Sequence, residues 1–174
     1  MPQLFARFCY NVLIYLAALP ALLYLLWRSR KDLRYRQRLA ERFAWQRVPE
    51  RACGGIVVHA VSVGEVVAAT PLIKALQQQY PQLTLTVSCT TPTGSERIVS
   101  SFADSVYHCY LPLDTPGAVK RFLTKLQPQA VIVLETELWP NLLQQCRRAL
   151  IPTIVVNARL SAVSARGYRR WYGF

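Results

Sequence analysis

A chain of 174 residues has room for one ordinary domain and an appendage, which argues against two full-sized globular domains. Hydrophobic residues make up 52% and charged residues 17%, with 7 Gly and 11 Pro, and this balance excludes disordered, collagen-like and low-complexity classes. The 21 Lys and Arg against 9 Asp and Glu leave a formal charge of +12, which favours anionic partners: nucleic acid, an anionic lipid surface or a phosphorylated ligand.

Residues 8–27 (FCYNVLIYLAALPALLYLLW) carry no charge and are about as long as a bilayer-crossing helix. Arg28, Arg30, Lys31, Arg34, Arg36 and Arg38 follow at once, a bias that places the rest of the chain on the cytoplasmic side. The expectation is an uncleaved membrane anchor over residues 1–27, with a buried or membrane-surface helix as the alternative. A cleaved signal peptide is disfavoured because the positive charge comes after the apolar core. Pro20 costs this helix one hydrogen bond. Residues 28–52 form a basic membrane-proximal segment: between Arg28 and Arg51 stand nine basic and three acidic residues, half of the net charge. Beside an apolar helix the economical partner is anionic headgroups. Nucleic acid is not expected, because Tyr35, Phe43 and Trp45 make only a weak set of stacking aromatics.

From residue 53 to 174 short apolar runs alternate with amphipathic segments. The runs are residues 55–60 (GIVVHA), 83–88 (LTLTVS), 106–111 (VYHCYL), 130–134 (AVIVL) and 153–157 (TIVVN), each apolar enough to be a strand covered on both faces. Val66, Ala69, Ile73, Leu76 and Tyr80 form a helical stripe, as do Val119, Phe122, Leu123 and Leu126. Asp114-Thr115-Pro116 reads as a cap followed by proline in a first helical turn. The fold class is α/β, an open parallel sheet of right-handed βαβ units, Rossmann-like in architecture. Cys9, Cys53, Cys89, Cys109 and Cys146 are scattered, without a CxxC pair, and read as reduced thiols. With only His59 and His108 in addition, no metal site or cofactor is expected.

In such sheets ligands bind beyond the carboxyl ends of the strands. Four loops with unusual composition fall there: Ser62-Val63-Gly64-Glu65, the stretch from Thr90 to Arg97, the stretch from Glu135 to Asn141, and Ala158-Arg159-Leu160-Ser161. Ser62-x-x-Glu65 and Thr93-x-x-Glu96 both match a capping box. That reading is accepted for Glu96 and not for Glu65, because Gly64 in a first turn is better explained by close approach of a ligand. The loop has too little glycine for a dinucleotide fingerprint. Glu135 and Glu137, side by side after the most apolar strand, are expected to bind protons more tightly than usual or to pair with Arg159. His59 reads as a core histidine, and Trp139-Pro140 as a helix start.

The blocks HAVSVGE (residues 59–65), TPTGSER (91–97), ETELWPN (135–141) and NARLS (157–161), in this order behind an apolar N-terminal helix, resemble the 3-deoxy-D-manno-octulosonic acid (Kdo) transferases of lipopolysaccharide synthesis. The resemblance implies the N-terminal, acceptor-side domain of a two-domain glycosyltransferase B fold. It implies inverting transfer of Kdo from CMP-Kdo to a lipid A precursor, without protein-bound metal, on the cytoplasmic face of the inner membrane. Glu65 is then the implied general base and Glu135 an implied helper of the transition state. Ser62, Gly64, Thr93, Gly94, Ser95, Arg97, Glu137, Asn157 and Arg159 are the expected substrate-binding residues. The donor domain of that family has no counterpart in these 174 residues, so no turnover is expected of them alone. The competing readings are a membrane-tethered module that binds anionic lipid without catalysis, and a nucleotide-sugar transferase of other specificity.

Overall fold

The computed structural model describes residues 2–137 and 139–158. Helix α1 (Pro2–Arg28) runs through Pro20 without interruption. Short 3-10 turns at Leu33–Tyr35, Leu39–Phe43 and Glu50–Ala52 lead to β1 (Ile56–His59), α2 (Val63–Gln79), β2 (Leu85–Cys89), α3 (Pro92–Phe102) and β3 (Tyr107–Tyr110). Then follow α4 (Pro116–Leu126), β4 (Ala130–Leu134), α5 (Pro140–Arg148) and β5 (Thr153–Val156). All five expected strands form, and every pairing is parallel.

The strand order is β3-β2-β1-β4-β5. After β3 the chain therefore crosses back over the sheet, and β1 and β4 become neighbours at the point where the winding reverses. Alternation along each strand sorts the core into two layers. Ile56, Val58, Ile132 and Leu134 pack with Val66, Ile73, Ile98 and Phe102 of α2 and α3 on one face. Val57, Val131 and Val133 pack with Phe122, Leu126, Leu142 and Cys146 of α4 and α5 on the other. The α4 stripe is buried throughout. In α2, Val66, Ala69 and Ile73 are buried, whereas Tyr80 has already left the helix as its C-cap and is 40% exposed. Strand β5 departs from the expectation of two covered faces: among the described residues nothing covers Ile154 and Val155, which are 49% and 42% exposed on its opposite faces. Gly55 is required by packing, since a Cβ there would lie 1.7 Å from the Thr84 carbonyl oxygen.

The basic segment packs on the domain. Arg34, Arg38 and Arg42 recur at helical spacing, and each is drawn to the carboxyl edge of β2 and β3. Arg34 pairs with Asp32 and with Glu96 of α3. Arg38 forks onto Glu41 at 2.6 and 2.9 Å and donates to the His108 carbonyl at 3.0 Å. Glu41 in turn accepts the Tyr110 N–H at 2.7 Å. Arg42 donates to the Thr90 carbonyl at 2.7 Å, with its guanidinium 4.0 Å from the centre of the Tyr110 ring. Arg30, Lys31, Arg36, Arg47 and Arg51 are exposed.

Candidate functional site

The reversal of winding places the loops after β1 and β4 side by side, the position where open α/β sheets bind ligands. The loop after β1 enters α2 at Ser62, whose Oγ accepts the Glu65 N–H at 3.4 Å. Glu65 completes the capping box: Oε1 accepts from the Ser62 N–H at 3.2 Å and the Ser62 hydroxyl at 2.9 Å, and Oε2 accepts from the Val61 N–H at 2.8 Å. Glu65 is therefore a cap after all, contrary to the sequence reading, because its side chain is long enough to reach back to two consecutive N–H groups. Capping does not exhaust it. A carboxylate has about four acceptor positions, and with three in use among the described residues one remains on Oε2. The side chain is 7% exposed, which shelters that position.

The first turn beside it is open. A Cβ on Gly64 would meet only the Ser62 Oγ, at 3.9 Å, so the protein's own packing does not demand glycine there. Facing this turn is the loop after β4. Glu135 continues the ladder through its N–H to the Val156 carbonyl at 2.8 Å, then turns into the left-handed region at φ 58°. For a non-glycine residue that conformation costs of order 1–3 kcal/mol. The turn brings Glu137 close to its fellow acids: burial first, then the charges of Glu65 and Glu135, push the Glu137 carboxyl above its ordinary value. Three half-buried or buried carboxylates thus influence one another at this edge, and Glu137 holds its proton more tightly than in water. Asn157, at the end of β5, is exposed and also left-handed at φ 58°. Arg159 lies outside the described residues, so its expected pairing with Glu135 or Glu137 has no structural description.

The loop after β2 divides into two functions. Thr90 ties it to the loop after β1 by donating N–H and Oγ1 to the Val61 carbonyl, each at 3.2 Å. The expected capping box at Thr93 and Glu96 does not form. Thr91 is the N-cap, accepting from the Gly94 N–H at 3.1 Å, because Pro92 takes the first helical position and leaves Thr93 within the turn. Glu96 pairs with Arg34 instead. Gly94 is required sterically: a Cβ would lie 2.9 Å from Thr91 Oγ1 and 3.3 Å from the Cys89 Cβ. Ser95 turns inward, bonding His108 Nε2 at 2.7 Å and accepting from Arg38 at 3.2 Å. Of the expected ligand-binding residues in this loop, Thr93 and Arg97 face solvent, whereas Gly94 and Ser95 are occupied within the fold.

Behind the crevice His59 is fully buried, held by Ser88 Oγ at 3.0 Å from Nδ1 and by an edge contact with Trp139 at 5.6 Å. Burial pushes its pKa down to about 4, so it is a neutral core residue, as its apolar setting suggests. His108 is no apolar-pocket histidine: Nδ1 donates to the Val87 carbonyl at 2.8 Å, which leaves Nε2 to accept from Ser95. The residue that sequence reasoning missed is Asp114. Thr115 caps α4, as the motif suggests, while Asp114 accepts the N–H groups of Asn141 and Leu142, both at 2.9 Å, and so caps α5 from another loop. Nothing local to α5 signals this, since its own N-cap, Trp139, offers no side-chain acceptor.

A family profile described as 3-Deoxy-D-manno-octulosonic-acid transferase (kdotransferase) matches residues 37–174. The chain is 50% identical over 165 residues to the 3-deoxy-D-manno-octulosonic acid transferase of Haemophilus influenzae, covering 93% of this chain and 38% of that protein. It is 38% identical over 149 residues to a probable mitochondrial enzyme of the same name from Arabidopsis thaliana, covering 86% and 33%. With the Bordetella pertussis transferase it shares 39% over 128 residues, covering 71% and 29%. The chain thus spans about a third of the length of these relatives. The profile takes in the basic segment from residue 37 together with the whole sheet and every crevice loop, and the chain belongs to the 3-deoxy-D-manno-octulosonic acid transferase family.

Proposed function

We propose that this chain forms the acceptor-side half of an inverting glycosyltransferase of the two-domain B fold, which moves Kdo from CMP-Kdo to a lipid A precursor. The enzyme works at the cytoplasmic face of the inner membrane, attached through α1. The observation that carries the reading is the Glu65 carboxylate, fixed in orientation by three donors with one acceptor position left over. Inversion needs a base on the acceptor side of the anomeric carbon and a leaving group on the other. Glu65 takes the proton of the acceptor hydroxyl through Oε2 as that oxygen attacks, and the anomeric bond to the CMP phosphate breaks on the opposite face. Glu135, held in a strained turn across the crevice, faces the centre where positive character builds up. Glu137, whose carboxyl is pushed above its ordinary value by burial and then by the charges of Glu65 and Glu135, contacts the substrate beside them. Ser62 and Gly64 line the base, while Thr93, Arg97, Asn157 and Arg159 form the rim that contacts substrate. Gly94 and Ser95 support the rim from within.

No cofactor enters this scheme. Donor binding belongs to the remaining length of the enzyme, so the 174-residue chain alone is expected to bind acceptor and not to turn over. The exposed Arg30, Lys31, Arg36, Arg47 and Arg51 suit the phosphates of an anionic leaflet and of a bisphosphorylated acceptor. The non-catalytic lipid-binding reading uses the same basic surface, and Glu65→Gln in the complete enzyme separates the two. Transfer is expected to fall ~100-fold or more, the contribution of a general base. Near-normal transfer by that variant would exclude the assignment.

A further inference from the structure

Helix α1 is tied to the domain near both of its ends. At its C-terminal end it leads straight into the segment that Arg34, Arg38 and Arg42 bind to β2, β3 and α3. Near its N-terminal end the Tyr10 hydroxyl donates to Asp114 Oδ2 at 2.8 Å, and Asn11 Oδ1 accepts from Asn141 Nδ2 at 2.9 Å. Arg7 donates to Gln144 of α5. Asp114 and Asn141 are themselves buried, 1% and 4% exposed, so this junction is part of the fold.

The two attachments exclude a spanning helix. From Tyr10 to Arg28 the helix rises about 27 Å, close to the ~30 Å hydrocarbon thickness of a bilayer. If α1 crossed the membrane with its basic exit on the cytoplasmic side, Tyr10 and Asn11 would lie at the opposite face and could not meet Asp114 and Asn141. The distribution of side chains around α1 agrees. Arg7, Tyr10 and Asn11 fall on one side at helical spacing, toward the domain. Phe5, Phe8, Val12, Leu16, Leu19 and Leu23 follow one another by three or four residues on the other, each between 42% and 71% exposed, and exposed Leu4, Leu13 and Tyr24 widen this apolar surface on its flanks. Trp27 ends this stripe, 55% exposed, immediately before Arg28, Arg30 and Lys31. An apolar face bordered by an aromatic ring and cations fits the acyl–headgroup boundary of an anionic leaflet.

We propose that α1 lies in the plane of the membrane, its apolar face sunk into the cytoplasmic leaflet, and does not cross it. This rests on the membrane-attached reading above and replaces the spanning anchor by an in-plane one. The Tyr10–Asp114–Asn141–Asn11 junction holds the carboxyl edge of the sheet against the leaflet. Asn141 follows Glu137 by four residues, so a lipid-anchored acceptor reaches the crevice without leaving the bilayer.

The test uses the complete enzyme in inner-membrane vesicles, with other accessible cysteines replaced and Gln3→Cys introduced. A membrane-impermeant maleimide is expected to label residue 3 in inside-out vesicles and not in right-side-out ones. Labelling only in right-side-out vesicles would overturn the proposal and leave the membrane reading intact. Recovery of the enzyme in the soluble fraction would overturn both. A second measurement asks about docking directly: in a folded, membrane-bound Asn11→Cys/Asn141→Cys variant, a short bis-maleimide is expected to bridge the pair. Failure to bridge there would also sink the idea.

Discussion

The carboxyl edge of one sheet carries two halves of opposite character. Over β2 and β3 the edge is closed: Arg38, Glu41, Arg42, Ser95, His108 and Tyr110 satisfy one another, and the basic segment fills the space above them. Over β1 and β4 the edge is open. Glu65, Glu135 and Glu137 gather there, and burial first, then the other two charges, raise the proton affinity of Glu137. Serine and glutamate are common to both halves. What separates them, among the described residues, is whether the fold supplies a counter-charge. A carboxylate at the closed half, Glu41, receives a guanidinium fork and a backbone N–H, and is structural. Those at the open half are left with acceptor positions for something else.

Breaking the open half at its centre has the largest expected effect. Glu65→Gln in the complete enzyme should lose transfer by ~100-fold or more, while the structure adds a stability cost. The Gln carbonyl can replace Oε1 toward Ser62, but its NH2 then faces the Val61 N–H, donor against donor. About 1–2 kcal/mol should be lost, seen as a lower urea midpoint in a protein that still folds.

Glu41→Ala applies the same operation to the closed half. It leaves a partly buried Arg38 and the buried Tyr110 N–H without their acceptor, at a cost of roughly 3 kcal/mol. Chemical denaturation should report that loss. In variant that remains folded, kcat should stay within a few-fold of the parent. A kcat loss comparable to that of Glu65→Gln would erase the distinction between the halves.

His59, packed behind the open half, sets a pH dependence. Its pKa is about 4 in the fold against 6.5 for the ordinary side chain. A depressed histidine takes up its proton in the unfolded chain first. Stability is therefore complete above pH ~6.5 and falls as pH drops toward 4, by up to about 3 kcal/mol. Urea midpoints measured between these pH values should slope accordingly, and His59→Gln should flatten the slope. An unchanged slope in the variant would assign the proton uptake elsewhere.

The smallest effects come from two glycines, one in each region. Gly94→Ala pushes a Cβ to 2.9 Å from Thr91 Oγ1 beside the buried Cys89, and should cost about 1–2 kcal/mol. Gly64→Ala meets open space on a helix and should stabilise by up to ~0.8 kcal/mol. If the crevice in front of Gly64 takes substrate, the same methyl group raises KM for the acceptor. A Gly64→Ala enzyme with unchanged KM would remove Gly64 from the binding surface.

Much of this was legible before any coordinates. Five apolar runs with helical stripes between them are a local property, and all five strands and the α4 stripe formed where periodicity put them. The position of the candidate site residues was legible for the same reason: once strands are parallel, their carboxyl ends share one edge, and Ser62, Glu65, Glu135, Glu137 and Asn157 lie just beyond strand ends. The capping errors show where local pattern stops. S/T-x-x-E fits both Ser62 and Thr93, and only the proline at position 92, seated as the first helical residue, moved the second cap to Thr91.

Strand order was decided by tertiary structure alone. No local signal states that the chain reverses its winding after β3, yet that reversal makes β1 and β4 neighbours and turns two distant acidic loops into one crevice. The same holds for Asp114, which caps a helix 27 residues away, and for the path of α1. Apolar content and length make α1 a candidate membrane helix, because transfer free energy depends on composition. Whether it crosses or lies flat depends on a contact between residues 10 and 114, and only the fold brings those together.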